Sequence, residues 1–147
     1  MTAEPKAMQA NEGRAINVLG NELLLKVTGE QSGGAFELYQ QTNPPGAGVP
    51  PHVHGAEDET FHVVSGQVRF LVGDKWIEAG PGTTLWAPRN VPHGYQIVGQ
   101  EPAVLLFIVS PPNLAPMFTE LGQLPPGPPD LAKVGEICGR FDVKFVM

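Results

Sequence analysis

The sequence predicts an all-β protein, a sandwich or barrel of short strands, with short helices near its C-terminus. Short runs of alternating or wholly apolar residues recur at regular spacing over most of the chain, which is typical of such folds. The 18 glycines and 16 prolines separate these runs as turns and do not form low-complexity tracts. The 147 residues suffice for one domain with its own core. Because no internal repeat is present, we expect one barrel and not two.

The barrel is predicted over residues 16–112, after a polar segment, residues 1–15, that we expect to be a flexible arm. An extended loop is predicted over residues 43–52, and Ser65 and Gly66 are predicted to close a hairpin. The last strand is apolar throughout, so we expect it to be buried on both faces. The predicted strands cover residues 22–28, 35–43, 60–65, 67–72, 75–79 and 103–109.

Residues 113–147 are predicted to form a helical extension that packs on the barrel or on a second subunit. A first short helix ends at Gly122, and a proline-rich linker leads to a second helix with Asp130 as its N-cap. We expect Cys138 to be a buried apolar residue of this helix, since no spare histidine could activate it as a nucleophile. The apolar stripe of the helix comprises Leu131, Val134, Ile137, Cys138 and Phe141.

Charge and cysteine content narrow the choice of partner and location. A net charge of -6 and a pI near 5.1 argue against nucleic acid and anionic membranes as partners. One cysteine cannot form an internal disulfide, which fits a cytoplasmic protein. No long apolar run and no basic-then-apolar leader is seen, so neither a membrane span nor a signal peptide is predicted.

Three of the 4 histidines and one glutamate form a candidate metal site. His52 and His54 point to the same side of an extended segment, because successive side chains alternate. Glu59 opens the next strand, and His93 follows a proline-rich turn at the start of another. Glu57 has the same parity as Glu59, so the residues alone leave open which carboxylate is the ligand.

Three imidazoles and a carboxylate suit one divalent transition metal per chain, namely iron, manganese, nickel, copper, cobalt or zinc. The set contains no thiolate, which argues against a closed structural zinc site and leaves positions for water or substrate. The alternative is that the histidine pair is a polar strand end without a metal.

The spacing of these residues resembles the two motifs of the cupin family. The first motif consists of Gly46, His52, His54, Glu59 and Gly66, separated in turn by five, one, four and six residues. The second has Gly82, Pro88 and His93 in place, but Asn90 stands where the family has glycine and Ile97 where it has asparagine. Asparagine tolerates left-handed backbone better than other non-glycine residues.

The resemblance implies a double-stranded β-helix, or jelly-roll barrel, and a homodimer. It also implies that His52, His54, Glu59 and His93 are the metal ligands. Phe61 and Tyr95 share the inward parity and are predicted, with Ile97, to line a substrate pocket, although core filling is the alternative for both rings.

Other residues near the motifs carry weaker predictions. His62 has the opposite parity to Glu59 and is predicted to be structural. The faces of Phe70 and Trp86 are left open by the sequence. Only Arg69 and Arg89 lie near the motifs, so an apolar, aromatic ligand is favoured over a phosphate.

The chain resembles small single-domain cupins of the quercetinase-like dioxygenase type. That resemblance implies a small-molecule substrate, an aromatic or an enol, with Glu59 as both metal ligand and catalytic base. Two alternatives stay open: a non-redox metalloenzyme, such as an isomerase, cyclase or lyase, and a barrel that binds a metal or small molecule without catalysis.

Overall fold

The computed structural model describes residues 3–146 and shows two antiparallel β-sheets around one hydrophobic core. The six-stranded sheet has the order β1-β2-β3-β10-β5-β8, and the five-stranded sheet has the order β11-β4-β9-β6-β7. The first sheet contains β1 (Arg14–Val18), β2 (Asn21–Val27), β3 (Glu37–Asn43), β5 (Asp58–Ser65), β8 (Thr84–Ala87) and β10 (Ala103–Ser110). The second contains β4 (Gly48–His54), β6 (Gln67–Val72), β7 (Lys75–Ala79), β9 (His93–Val98) and β11 (Val143–Phe145). The predicted all-β, double-stranded β-helix fold is confirmed.

Two helices follow the last long strand, as predicted. Helix α1 (Ala115–Gly122) ends at the predicted glycine. Helix α2 (Leu131–Arg140) begins after Asp130, whose carboxylate accepts hydrogen bonds from the backbone N–H groups of the first helical turn. The stripe of α2 is buried at Val134, Ile137 and Cys138, but Leu131 is 76% exposed and does not belong to it.

The predicted hairpin at Ser65 and Gly66 is wrong. Strand β5 pairs with β10 and β8, whereas β6 pairs with β7 and β9, so the chain crosses from one sheet to the other at this point. Gly66 has φ +87 and lies so close to β10 that a Cβ would meet the Cα of Ala103 at 2.6 Å. The glycine therefore forms a corner between sheets, which local sequence cannot distinguish from a hairpin turn.

Strand β10 is buried on one face only, contrary to the prediction. Ala103, Leu105, Phe107 and Val109 point into the core, whereas Ile108 on the other face is 38% exposed. Because residues 103–109 are all apolar, the sequence shows no alternation of polar and apolar side chains, and the outward face could not be recognised. The homodimer stays a prediction.

Strand β1 was not predicted and pairs along its length with β2. The segment before it is attached to the sheet, because the ammonium group of Lys26 donates hydrogen bonds to the backbone carbonyls of Gln9, Ala10 and Glu12. The flexibility of the arm stays a prediction, and residues 1, 2 and 147 lie outside the described residues. Within residues 3–146, no helix has the length and apolar character that crossing a bilayer requires.

The corner at Gly66 generates a stability prediction with a matched control. Gly20 has the same φ, +87, but no atom lies within 4 Å of its Cβ position. Gly20→Ala should therefore lower the free energy of unfolding by roughly 1–2 kcal/mol, from backbone strain alone. Gly66→Ala should lower it by roughly 1–3 kcal/mol more, because the new methyl group overlaps Ala103.

Urea denaturation of both variants measures the difference. Equal unfolding free energies for the two variants would contradict the close approach of Gly66 to β10.

Candidate metal centre

The two sheets meet at the candidate metal site, and each contributes donor residues. His52 and His54 lie at the end of β4, and His93 opens the neighbouring strand β9, where it pairs with His52. Glu59 comes from β5 in the other sheet. Of the loop predicted over residues 43–52, residues 44–47 are loop, whereas residues 48–52 belong to strand β4, which has a register shift between Val49 and His52. The prolines within that shift cannot donate ladder hydrogen bonds.

The four predicted ligands converge on one point. One donor atom from each of His52, His54, Glu59 and His93 lies within 4.8 Å of all the others. Oε2 of Glu59 is 2.8 Å from Nε2 of His93 and 3.4 Å from Nε2 of His54. All four side chains are buried. The four residues thus form a single buried cluster, and their role as metal ligands stays a prediction.

The geometry favours Glu59 over Glu57 as the carboxylate ligand. Both are buried, but Glu57 does not belong to the convergent set. Its Oε2 lies 3.5 Å from Nδ1 of His54, on the ring edge away from Glu59. Glu57 therefore lies behind a candidate ligand and not beside the metal position.

The imidazoles and Glu59 perturb one another strongly. Burial, reinforced by His93, lowers the pKa of His52 to about 4. Burial alone would lower the pKa of His54 and raise that of Glu59, but the charges of the neighbouring side chains outweigh the effect of burial. The carboxylates of Glu59 and Glu57 raise the pKa of His54, and the neighbouring imidazoles lower the pKa of Glu59 to about 2. Glu59 is therefore ionised near neutral pH and offers a full negative charge.

The donor set fits a divalent transition metal. Both ring nitrogens of His54 and Nδ1 of His93 are buried without a hydrogen-bond partner, which is costly unless a further group binds them. Nδ1 of His52 lies 2.8 Å from the carbonyl oxygen of Pro50, so it can donate a hydrogen bond there and leave Nε2 for a metal. Ligands at about 2 Å from one ion lie at most about 4 Å apart, so a small contraction of the cluster would complete the site.

The cluster opens into an apolar cavity of about 110 Å³. Three candidate ligands, His52, His54 and Glu59, form one part of its wall. Helices α1 and α2 and strand β11 supply much of the rest, which the sequence analysis did not predict for the C-terminal segment. Their contribution comprises Met117, Phe118, Leu121, Val134, Cys138, Val143 and Phe145. The amphipathic stripe of α2 was the one available signal, and it could not say what the stripe covers.

The structure separates the predicted pocket residues. Phe61 and Tyr95 line the cavity, whereas Ile97 is buried in the core and is not part of the cavity wall that the described residues form. Phe70 lies behind the wall, with its ring centroid 5.3 Å from that of Phe61. Trp86 is 63% exposed on the outer face of its sheet, so it cannot belong to the pocket.

The remaining polar residues near the motifs point away from the cavity. His62 is exposed, and its Nδ1 lies 2.8 Å from the hydroxyl of Thr84, in agreement with its predicted structural role. Arg89 forms an ion pair with Asp58, and the guanidinium of Arg69 stacks 4.6 Å from the ring centroid of Trp76. Neither arginine lines the cavity. An anionic phosphate would find no guanidinium there.

Removing one candidate ligand tests the cluster. His54→Ala should lower the metal content several-fold while the barrel stays folded, because one of four donors is lost. His62→Ala is the matched control, since it removes an outward-facing imidazole and should leave metal content unchanged. Elemental analysis with circular dichroism measures both. Unchanged stoichiometry in His54→Ala would remove His54 from the site.

The raised pKa of His54 predicts how metal affinity depends on pH. In the metal-free protein this ring keeps its proton to a higher pH than a free imidazole does, and a metal binds only the deprotonated ring. His52 is already neutral in this range, because its pKa is about 4. Below the pKa of His54, affinity for Zn²⁺ should therefore fall about tenfold per pH unit.

Calorimetric titration in buffers of different ionisation enthalpy measures the affinity and the number of protons released. Binding without proton release just below the ordinary imidazole pKa of about 6.5 would contradict the protonation of His54.

Comparisons with known proteins agree with this architecture. Residues 39–109 match the model of the cupin domain, and no curated protein matches the chain in sequence. The structure of KdgF from Halomonas sp. has a TM-score of 0.65 at 18% identity, covering 74% of this chain and 94% of that one. A predicted oxalate decarboxylase from Thermotoga maritima has a TM-score of 0.64 at 18% identity, with 71% and 98% covered.

A third similar structure is the polyketide cyclase RemF from Streptomyces resistomycificus, with a TM-score of 0.63 at 19% identity. The matched region covers 73% of this chain and 80% of the RemF chain. At these identities the likeness concerns the fold alone. The chain is thus similar to the cupin domain over residues 39–109, a range that contains all four candidate ligands, and it shares the two-sheet fold of these structures.

Proposed function

We propose that this protein is a cupin and acts as a metal-dependent dioxygenase of the quercetinase-like type, on an aromatic or enol substrate no larger than about one ring. The observation that carries the proposal is the position of the three-histidine, one-glutamate cluster on the wall of an apolar cavity lined by Phe61, Tyr95 and Phe107. Apolar walls with few polar groups are typical of sites for small organic ligands.

Cavity size supports the limit of one ring. A cavity of about 150 Å³ holds benzene, and the cavity here measures about 110 Å³. A single ring or a small enediol has a volume comparable to that of this cavity. A three-ring flavonol is larger than the cavity and would fit only if the C-terminal segment moved. The substrate is therefore expected to be smaller than a flavonol although the reaction type is the same.

The chain's own residues would bind and deprotonate such a substrate. The aromatic side chains orient its ring, and the C-terminal segment excludes water. Glu59, buried and ionised, lies at the cavity wall beside His54 and can accept a hydroxyl proton from the substrate. A redox metal, when bound by the three histidines and Glu59, would supply the one-electron chemistry that dioxygen requires.

Two buried amides, Asn21 and Gln41, also line the cavity. Asn21 is 3% exposed, and its Oδ1 has no hydrogen-bond partner among the described residues. A buried amide without a partner favours a ligand that supplies one. We therefore expect the substrate to have a second polar substituent, a hydrogen-bond donor that Asn21 can bind.

A non-redox metalloenzyme is the second candidate. The same buried carboxylate beside a metal could remove a proton next to a carbonyl, as an isomerase, cyclase or lyase requires. Within the described residues, Glu59 is the one carboxylate on the cavity wall, and no lysine accompanies it. A second carboxylate or a lysine, which many such reactions use as the partner acid or base, is therefore missing from the described wall, and this favours the dioxygenase. A barrel that binds a ligand without catalysis is the third possibility.

Metal analysis followed by oxygen uptake tests the proposal. Protein purified without a chelator should contain one redox metal per chain and consume oxygen with catechols or enediols, but not with three-ring flavonols. Zinc in place of a redox metal, or a redox metal without oxygen uptake, would favour the non-redox enzyme or the binder.

The role of Glu59 is tested by Glu59→Gln. This variant should lose at least about a hundredfold in turnover, because the general base is removed, and should still bind some metal through the three histidines. Asp58→Asn is the matched control, since Asp58 is the adjacent acid but pairs outward with Arg89. Turnover at the original rate in metal-loaded Glu59→Gln would exclude Glu59 as the base.

A further inference from the structure

We infer that Glu57 is a positioning residue for the metal centre, acting through His54 as the acceptor that fixes its ring. This inference rests on the metal site proposed above and adds a residue outside its ligand set. Glu57 is 1% exposed and His54 is 3% exposed. A carboxylate so deeply buried requires a partner, and the described residues offer no hydrogen bond to its Oε2.

The two unpartnered groups face each other. Oε2 of Glu57 and Nδ1 of His54 are 3.5 Å apart, slightly beyond the range of a normal hydrogen bond. The opposite ring nitrogen, Nε2 of His54, lies on the side of Glu59. When Nε2 is used as a metal donor, Nδ1 must carry the proton. Glu57 is then placed to accept it after a shift of a few tenths of an ångström.

A neighbouring ligand shows the same arrangement. Nδ1 of His52 lies 2.8 Å from the carbonyl oxygen of Pro50, so an acceptor outside the ligand set fixes that ring too. Such outer hydrogen bonds set the tautomer of a metal-binding histidine and increase its basicity. The difference is that Glu57 is a carboxylate, which strengthens the hydrogen bond and adds negative charge behind the ligand.

The position of Glu57 in the chain supports the role. It lies three residues after His54, and residue 55, between them, is held by a hydrogen bond from its backbone N–H to the carbonyl oxygen of Asp142. The turn between β4 and β5 is thereby fixed against the C-terminal segment. Glu57 is thus presented to His54 by the same short turn that joins the two ligand-bearing strands.

Metal affinity and metal spectra test this role without reference to catalysis. Glu57→Leu should raise the Kd for Co²⁺ by about 10- to 100-fold and change the visible absorption of the bound ion, because the His54 ring loses its fixed orientation. Glu57→Gln keeps an acceptor oxygen and should recover part of the affinity. Asp58→Asn, an adjacent and outward acid, is the control and should bind Co²⁺ as the original protein does.

The effect must also depend on His54. In a His54→Ala background, Glu57→Gln should cause no further loss of Co²⁺ affinity, because the residue acts through the missing ring. Should Glu57→Leu fail to fold, the isosteric Glu57→Gln and this double variant decide the matter.

Unchanged Co²⁺ affinity and spectrum in Glu57→Gln and in Glu57→Leu would overturn the inference. Loss of metal in His54→Ala, with no effect at Glu57, would overturn this role alone and leave the metal site intact. No change in His54→Ala would instead overturn the proposed metal site itself.

Discussion

The burial of a carboxylate among three imidazoles is the interaction on which this molecule depends. Glu59 is 4% exposed, and its Oε2 lies within 3.4 Å of ring nitrogens from two histidines. In a low-dielectric interior such groups require compensation by a proton or a cation. The cluster therefore links the two sheets, since β5 supplies the charge and β4 and β9 supply the imidazoles.

The unsatisfied polar atoms of the protein are concentrated at this cluster. Among the described residues, buried side-chain atoms without a partner number six, and four of them belong to His54, Glu57 and His93. A bound ion at Nε2 of His54, with a hydrogen bond from its Nδ1 to Glu57, would satisfy three of these four atoms. The free-energy cost of these unpartnered atoms is confined to the cluster. Their concentration there points to the same site as the sequence motifs do.

The C-terminal segment connects the metal site to substrate size. Strand β11 pairs with β4 so that Val143 lies opposite His54 and Phe145 opposite His52. The same segment forms cavity wall together with α1 and α2. A residue change in this segment can therefore affect both the position of the ligand strand and the space next to it. Related barrels with different C-terminal segments would be expected to accept different ligands, which fits the many functions of one fold.

The sequence by itself determined the fold class, the shared side of His52 and His54, the end of α1 and the N-cap of α2. These are local properties, since they follow from alternation along a strand, from fixed spacing in a motif and from capping chemistry. The sequence also placed Phe61 and Tyr95 on the inward side, because parity is a property of each strand alone.

Only the tertiary structure decided which strands are neighbours. The corner at Gly66, the single buried face of β10 and the outward position of Trp86 all depend on partners distant in the chain. Tertiary structure also decided between Glu57 and Glu59. Alternation puts both side chains on the same side of the chain, and only Glu59 joins the cluster that includes His93 of β9. Side-chain alternation assigns a face, but the contacts across that face are set by long-range pairing, which no local pattern records.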